Sequence, residues 1–116
     1  MPGAVEAVAA LEGRGWHVVV LTAPLSSSRT CAAEKLTWLS RVFGPDMARR
    51  AVIAKDKTLP RGRFLVDDRP QSGLLSPTWQ QVLFASPTNR DVPISDPIVA
   101  RASCWGEVLD FVGSPD

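Results

Sequence analysis

The stretch Arg63-Phe64-Leu65-Val66-Asp67-Asp68-Arg69-Pro70 decides the fold. In it, three apolar residues run straight into two adjacent carboxylates. An uninterrupted apolar run bounded by polar residues predicts a short strand buried on both faces. In open α/β sheets, ligands sit beyond the carboxyl ends of the strands, which is where Asp67 and Asp68 fall. Like charges this close repel, so a compensating group is expected. A hard divalent cation such as Mg²⁺ is one candidate, and a nearby lysine is another. A solvated acidic turn is the plainer alternative.

On either side of this stretch the chain alternates between the two kinds of element. Residues 16–22, Trp-His-Val-Val-Val-Leu-Thr, are β-branched and too apolar to alternate, which predicts a central parallel strand. Residues 51–54, 81–85 and 99–102 predict further strands, the last of them at an edge. Helices are expected over residues 1–14, 29–43 and 103–112, with a further short turn over 46–50. Val5, Val8, Ala9 and Leu11 form the apolar stripe of the first helix, and Gly13 and Gly15 end it. This order predicts one three-layer α/β domain with a mostly parallel, Rossmann-like sheet.

The bulk properties narrow the function classes. A chain of 116 residues supports one core. Its net charge of +1 gives no electrostatic case for a nucleic-acid polymer or a membrane surface. Cys31 and Cys104 match no metal or redox spacing and are expected as reduced thiols. No run approaches the length of a membrane span, and the first residues do not resemble a signal peptide. A cytoplasmic setting is therefore expected. His17 opens its strand at the end opposite the expected site and reads as structural. The four tryptophans read as core or loop anchors, and Arg49-Arg50 as a solvated face. Ser26-Ser27-Ser28 suits either a helix cap or a phosphate contact.

Three polar features fall at carboxyl ends of strands: Thr22, the Lys55/Lys57 pair and the Asp67/Asp68 pair. This is the set that phosphate handling needs. Thr22 can donate to a phosphoryl oxygen, and Lys57 can offset charge on a transferring group. Asp67 can hold Mg²⁺, and Asp68 can orient Lys57 or a metal-bound water. Receiver domains place their acidic pair first, then Thr, then Lys. Here the order is Thr, Lys, acidic pair, which is that of the haloacid dehalogenase-like phosphatases.

Within that superfamily the chain resembles the 5'(3')-deoxyribonucleotidases, the cytosolic type C nucleotidases. The features that carry the resemblance are Thr22-Ala23-Pro24-Leu25, Glu34-Lys35-Leu36-Thr37-Trp38, Gly44-Pro45, Lys55-Asp56-Lys57-Thr58, Leu65-Val66-Asp67-Asp68, Pro77-Thr78-Trp79 before Val82-Leu83-Phe84, and Trp105 to Asp110. The resemblance implies Mg²⁺-dependent hydrolysis of a nucleoside monophosphate through an aspartyl-phosphate. It implies Lys57 and Asp68 as catalytic residues and Asp67 as the metal ligand. Thr22, Ala23, Leu25, Ser26 and Lys55 would contact phosphate or substrate. The partner is then a small nucleotide, and a homodimer is compatible with it.

The family's core begins with a strand ending in Asp-x-Asp-Gly, whose first Asp is the nucleophile and whose second is the general acid/base. No Asp-x-Asp occurs in this chain. Ala23 stands where the family has Ser, Ser26 where it has Lys, and Lys55 where it has Arg. The expectation is thus a single partial core domain over residues 1–116, with the N-terminal strand and the helical cap missing. By the resemblance, the nucleophile strand would lie between residues 16–22 and the strand ending at Asp67. A non-catalytic module that keeps a phosphate or Mg²⁺ site is the competing expectation.

Overall fold

The computed structural model describes residues 3–22 and 31–115. In chain order the elements are α1 (Ala4–Gly13), β1 (Leu21–Thr22), α2 (Cys31–Phe43), α3 (Pro45–Arg50), β2 (Val52–Ile53), β3 (Phe64–Asp67), β4 (Gln80–Phe84), β5 (Ile98–Ala102) and α4 (Trp105–Val112). Among the described residues every strand pairing is parallel. β1 pairs with β2, and β3, β4 and β5 form a second sheet in that order. Parallel neighbours need crossover connections. Helices α2 and α3 supply the one between β1 and β2, as an α/β architecture requires.

β4 is the central strand, hydrogen-bonded to β3 on one side and β5 on the other. Its Gln81, Val82 and Leu83 are wholly buried. Successive strand residues face opposite sides. Val82 accordingly joins Ala102 and Val108 in a core cluster, with Phe64, Val66, Phe84, Trp105 and Val112 packed against it. That cluster seats α4 on one face of the sheet. α1 in turn packs on α4. A Cβ at Gly3 would lie 3.7 Å from the Trp105 ring, ordinary contact distance, so the start of α1 rests against the start of α4.

Burial revises the expected face of α1. Its buried residue is Ala7, while Val5 and Ala9 are exposed and Val8 and Leu11 half-buried. A small side chain lets the helices meet where a valine would hold them apart. The helix ends as expected: Trp16 N–H donates to Leu11 O and Gly15 N–H to Glu12 O, each at 3.0 Å. That is a Schellman turn with Gly15 at φ +100°, where a side chain would be strained. Pro2 and residues 29–30 lie outside the described residues.

The central strand expected over residues 16–22 is corrected. Only Leu21 and Thr22 form a ladder, with Val52 and Ile53, and β1 is an edge among the described residues. Val19 is accordingly exposed. β3 is also an edge of its sheet. For that reason only Leu65 is buried, and Phe64, Val66 and Asp67 are half-buried rather than covered on both faces. Trp16 and Phe64 meet edge to face with ring centroids 5.7 Å apart, so the two segments start side by side. The Arg63 guanidinium lies 5.2 Å above the Trp16 ring.

Leu83 at the centre of β4 and Leu74 on an exposed loop separate core from surface. Leu83→Ala should cost about 2–5 kcal/mol, and Leu74→Ala should change stability by less than about 0.5 kcal/mol. Urea unfolding midpoints of the two variants test this contrast.

Candidate functional site

β3 delivers Asp67 to its carboxyl end, and the turn that follows holds the side chain in place. Asp67 Oδ2 accepts from Lys57 Nζ at 2.7 Å and from Gln71 Nε2 at 3.1 Å. Its Oδ1 accepts the Arg69 N–H at 3.2 Å, an Asx-type turn. The Lys57 and Asp67 side chains are 14% and 12% exposed, so the ion pair is shielded from solvent. Lys57 is thus a compensating group of the kind expected beside the carboxylates. It pairs with Asp67, while the sequence reading leaves Asp68 to orient either Lys57 or a metal-bound water. Asp68 is exposed, and its backbone carbonyl accepts from Asn89 Nδ2 at 2.8 Å.

Two buried polar side chains on or beyond β4 brace that turn. Gln81 Nε2 donates to Arg69 O at 2.7 Å, and Gln81 Oε1 accepts the Gln71 N–H at 3.0 Å. Asn89 bonds Asp68 O and Phe84 O through Nδ2, each at 2.8 Å, and Ser86 N through Oδ1 at 3.0 Å. Buried amides need such partners. Trp79, 3% exposed, donates its indole N–H to Lys57 O at 2.9 Å, which anchors the lysine's backbone.

Asp56 organises the segment on the other side of Lys57. Its Oδ1 accepts the Thr58 N–H at 2.9 Å and the Thr58 hydroxyl at 2.5 Å. Its Oδ2 accepts the Leu74 N–H at 2.8 Å. The Leu74 N–H first, and then the Thr58 hydroxyl and N–H, hold the Asp56 carboxyl below the ordinary aspartate value of 3.8. A Cβ at Gly73 would come within 1.9 Å of Asp56 Oδ1, so only glycine fits there.

Thr22 ends β1, and its Oγ1 accepts from Lys35 Nζ at 2.9 Å. The Thr22 carbonyl accepts the Ala54 N–H, also at 2.9 Å. Residues 54–57 therefore start against Thr22 and end with the Lys57 ammonium on Asp67, joining the ends of β1 and β3. Lys55 within this segment is exposed. Ala23, Leu25 and Ser26 lie outside the described residues, as do Ser27 and Ser28.

The donor set fits Mg²⁺, which takes one or two carboxylates and completes its shell with waters and substrate phosphate. Asp67 Oδ1 receives one backbone N–H and keeps lone pairs for a cation, and Asp68 stands beside it. Among the described residues no group of three or more His, Cys, Asp or Glu could hold a metal by itself. Any ion here would draw its further ligands from water, from substrate or from residues other than the described ones.

Lys35 and Asp56 enter the sequence reading only as members of family motifs, and Gln71, Gln81 and Asn89 have no functional role in it. Gln81 and Asn89 left a faint signal, as polar residues inside or just beyond an apolar run. Trp16, Trp79 and Trp105 are packed as expected, while Trp38 is exposed and touches Phe43 edge to face. His17 is exposed. Cys104 is an exposed free thiol at the N-terminal end of α4.

Parallel strands with a hydroxyl, a lysine and a carboxylate at their ends are consistent with an α/β core of the haloacid dehalogenase-like type. The family described as 5' nucleotidase, deoxy (pyrimidine), cytosolic type C protein matches residues 1–114, and the chain belongs to it. A "Putative 5'(3')-deoxyribonucleotidase" of Bordetella pertussis is 40% identical over 92 residues, 78% of this chain and 50% of the relative. The mitochondrial 5'(3')-deoxyribonucleotidase of Homo sapiens is 34% identical over 95% of this chain and 51% of its own length. The cytosolic human type is 29% identical over 95% of this chain and 58% of its own. The chain thus spans about half the length of the curated relatives it matches.

The Asp56 cluster sets an acid limit on stability. Its carboxyl is held low in the folded chain, so its contribution is complete above the ordinary value of 3.8 and is lost as pH falls through the lower folded value. Asp56→Asn should lower the melting temperature at neutral pH and flatten its decline below about pH 4. Gly73→Ala should destabilise by about 1–3 kcal/mol, as overpacking does. Thermal melts of both variants across pH check these outcomes.

Proposed function

We propose that this chain carries the phosphate- and metal-facing part of a Mg²⁺-dependent 5'-nucleotidase that hydrolyses (deoxy)nucleoside monophosphates through an aspartyl-phosphate. The observation that carries the proposal is the bridge made by residues 54–57, with Thr22 bonded at one end and the Lys57–Asp67 pair at the other. Thr22 donates its hydroxyl proton to a phosphoryl oxygen. Lys57 offsets the negative charge that builds on the transferring group. Asp67 keeps the Lys57 ammonium in place and, with Asp68 beside it, offers oxygen ligands to the cation. Bound Mg²⁺ would neutralise and polarise the phosphate. Substrate is a small nucleotide rather than a nucleic-acid polymer, in keeping with the formal charge of +1.

The nucleophilic aspartate is not among this chain's residues, since no Asp-x-Asp occurs in it. The family resemblance would set the nucleophile strand between β1 and β3. Both are edges of separate sheets among the described residues, which supports that reading. The missing motif also favours a second reading, a non-catalytic module that binds phosphate or Mg²⁺. No helix among the described residues is long and apolar enough to cross a membrane. A cytoplasmic setting is part of the proposal; the human relatives are named as one cytosolic and one mitochondrial type.

Purified chain with Mg²⁺ should release no phosphate from deoxyuridine or thymidine monophosphate. Turnover in the ordinary range of about 1–10³ per second would sink the account of the nucleophile. Supplying a segment with an apolar strand ending in Asp-x-Asp-Gly should produce turnover that Asp67→Asn abolishes. Phosphate binding without turnover in that assembled protein would favour the non-catalytic module. In calorimetry with phosphate present, Asp67→Asn should weaken Mg²⁺ binding, and equal affinities would mean that the acidic pair is only a turn.

A further inference from the structure

We infer that Lys35 is a positioning residue for Thr22, fixing the threonine hydroxyl as a hydrogen-bond donor toward a bound phosphoryl oxygen. The inference rests on the nucleotidase reading above and adds a residue to it.

A threonine hydroxyl has one proton to donate and lone pairs to accept with, and its rotor turns to suit its neighbours. A lysine ammonium can only donate. Lys35 Nζ lies 2.9 Å from Thr22 Oγ1, so Thr22 must be the acceptor in that bond. The hydroxyl proton is then turned away from Lys35. In the contact with Lys35 that proton is not used, so it remains available to a ligand. Thr22 is half-buried at the carboxyl end of a parallel strand, where ligands bind in open α/β sheets. Its β-branched side chain is stiff about χ1, so fixing the proton fixes the donor direction as well.

A neutral amide in place of Lys35 could either donate or accept, and would leave the hydroxyl free to turn. An ammonium removes that choice and brings a positive charge to the same place. The contact also ties α2 to β1, because Lys35 stands 13 residues beyond Thr22 and on the far side of residues 23–30.

The test is titration of inorganic phosphate into the full chain by calorimetry, using wild type, Lys35→Met, Lys35→Arg, Thr22→Val and the Lys35→Met/Thr22→Val double variant. Lys35→Met should weaken phosphate binding about tenfold, the scale of one charge-assisted hydrogen bond. Lys35→Arg keeps a donor-only cation and should restore most of the loss. In the Thr22→Val background, Lys35→Met should change binding no further, because the group it positions has gone. Lys35→Gln replaces Lys35→Met in the series if the latter does not fold. Binding abolished by Thr22→Val but untouched by Lys35→Met overturns this inference alone. So do additive losses in the double variant, which would mean that Lys35 meets the phosphate itself. Absence of phosphate binding in the wild type overturns the nucleotidase reading of the site, and this inference with it.

Discussion

Gln81 is the constraint on which the site depends. It lies in the central strand and is wholly buried. Both ends of its amide need partners, since an unpaired buried polar group costs about 1–3 kcal/mol. The backbone of Arg69 and Gln71 meets that need, so the turn after β3 cannot move without exposing an unsatisfied amide. Asn89 imposes the same condition on Asp68 from the other end of β4. Asp67 is thereby fixed before any ligand arrives, and Lys57, which reaches across to it, is fixed by Asp67. Groups held in advance need no reorganisation when charge develops.

The polar groups around Lys57 come from two directions. Asp67 faces its ammonium and Trp79 holds its carbonyl. Asp56, the residue before it, gathers the backbone of Thr58 and Leu74. The lysine is thus clamped at head and backbone by elements far apart in sequence. The charge-assisted Lys57–Asp67 bond contributes roughly 1.5–3 kcal/mol, and the low exposure of the pair spares it most of the screening that weakens surface pairs.

The sequence was most legible where the signal is local. An apolar run ending in two carboxylates announces β3 and its site, and Gly15 announces the end of α1. Lys57 was legible through its spacing in a family motif. Strand order was not, because pairing joins distant residues. Residues 16–22 are as apolar as a central strand, yet β1 has a partner on one edge only, and the central place belongs to β4. The face of α1 was misread because apolarity favoured Val5 and Ala9, while close packing against α4 selected the smaller surface around Gly3 and Ala7. The Lys35–Thr22 contact depends on the approach of a helix to a strand end, which no single-chain pattern encodes.

The loop after Gln71 is held almost wholly by its main chain. Leu74 N–H meets Asp56, Leu75 N–H meets Thr58, and Gly73 fits because it has no side chain. The side chains of Leu74 and Leu75 point into solvent, at 88% and 55% exposure. Position and chemical character are therefore uncoupled in this loop. Its course is written in amide hydrogens that nearly every residue possesses, so the exposed side chains can be exchanged for others without redirecting the backbone beside Lys57. A surface whose character can drift while its geometry stays fixed is suited to acquiring new contacts at no cost to the chemistry beneath it.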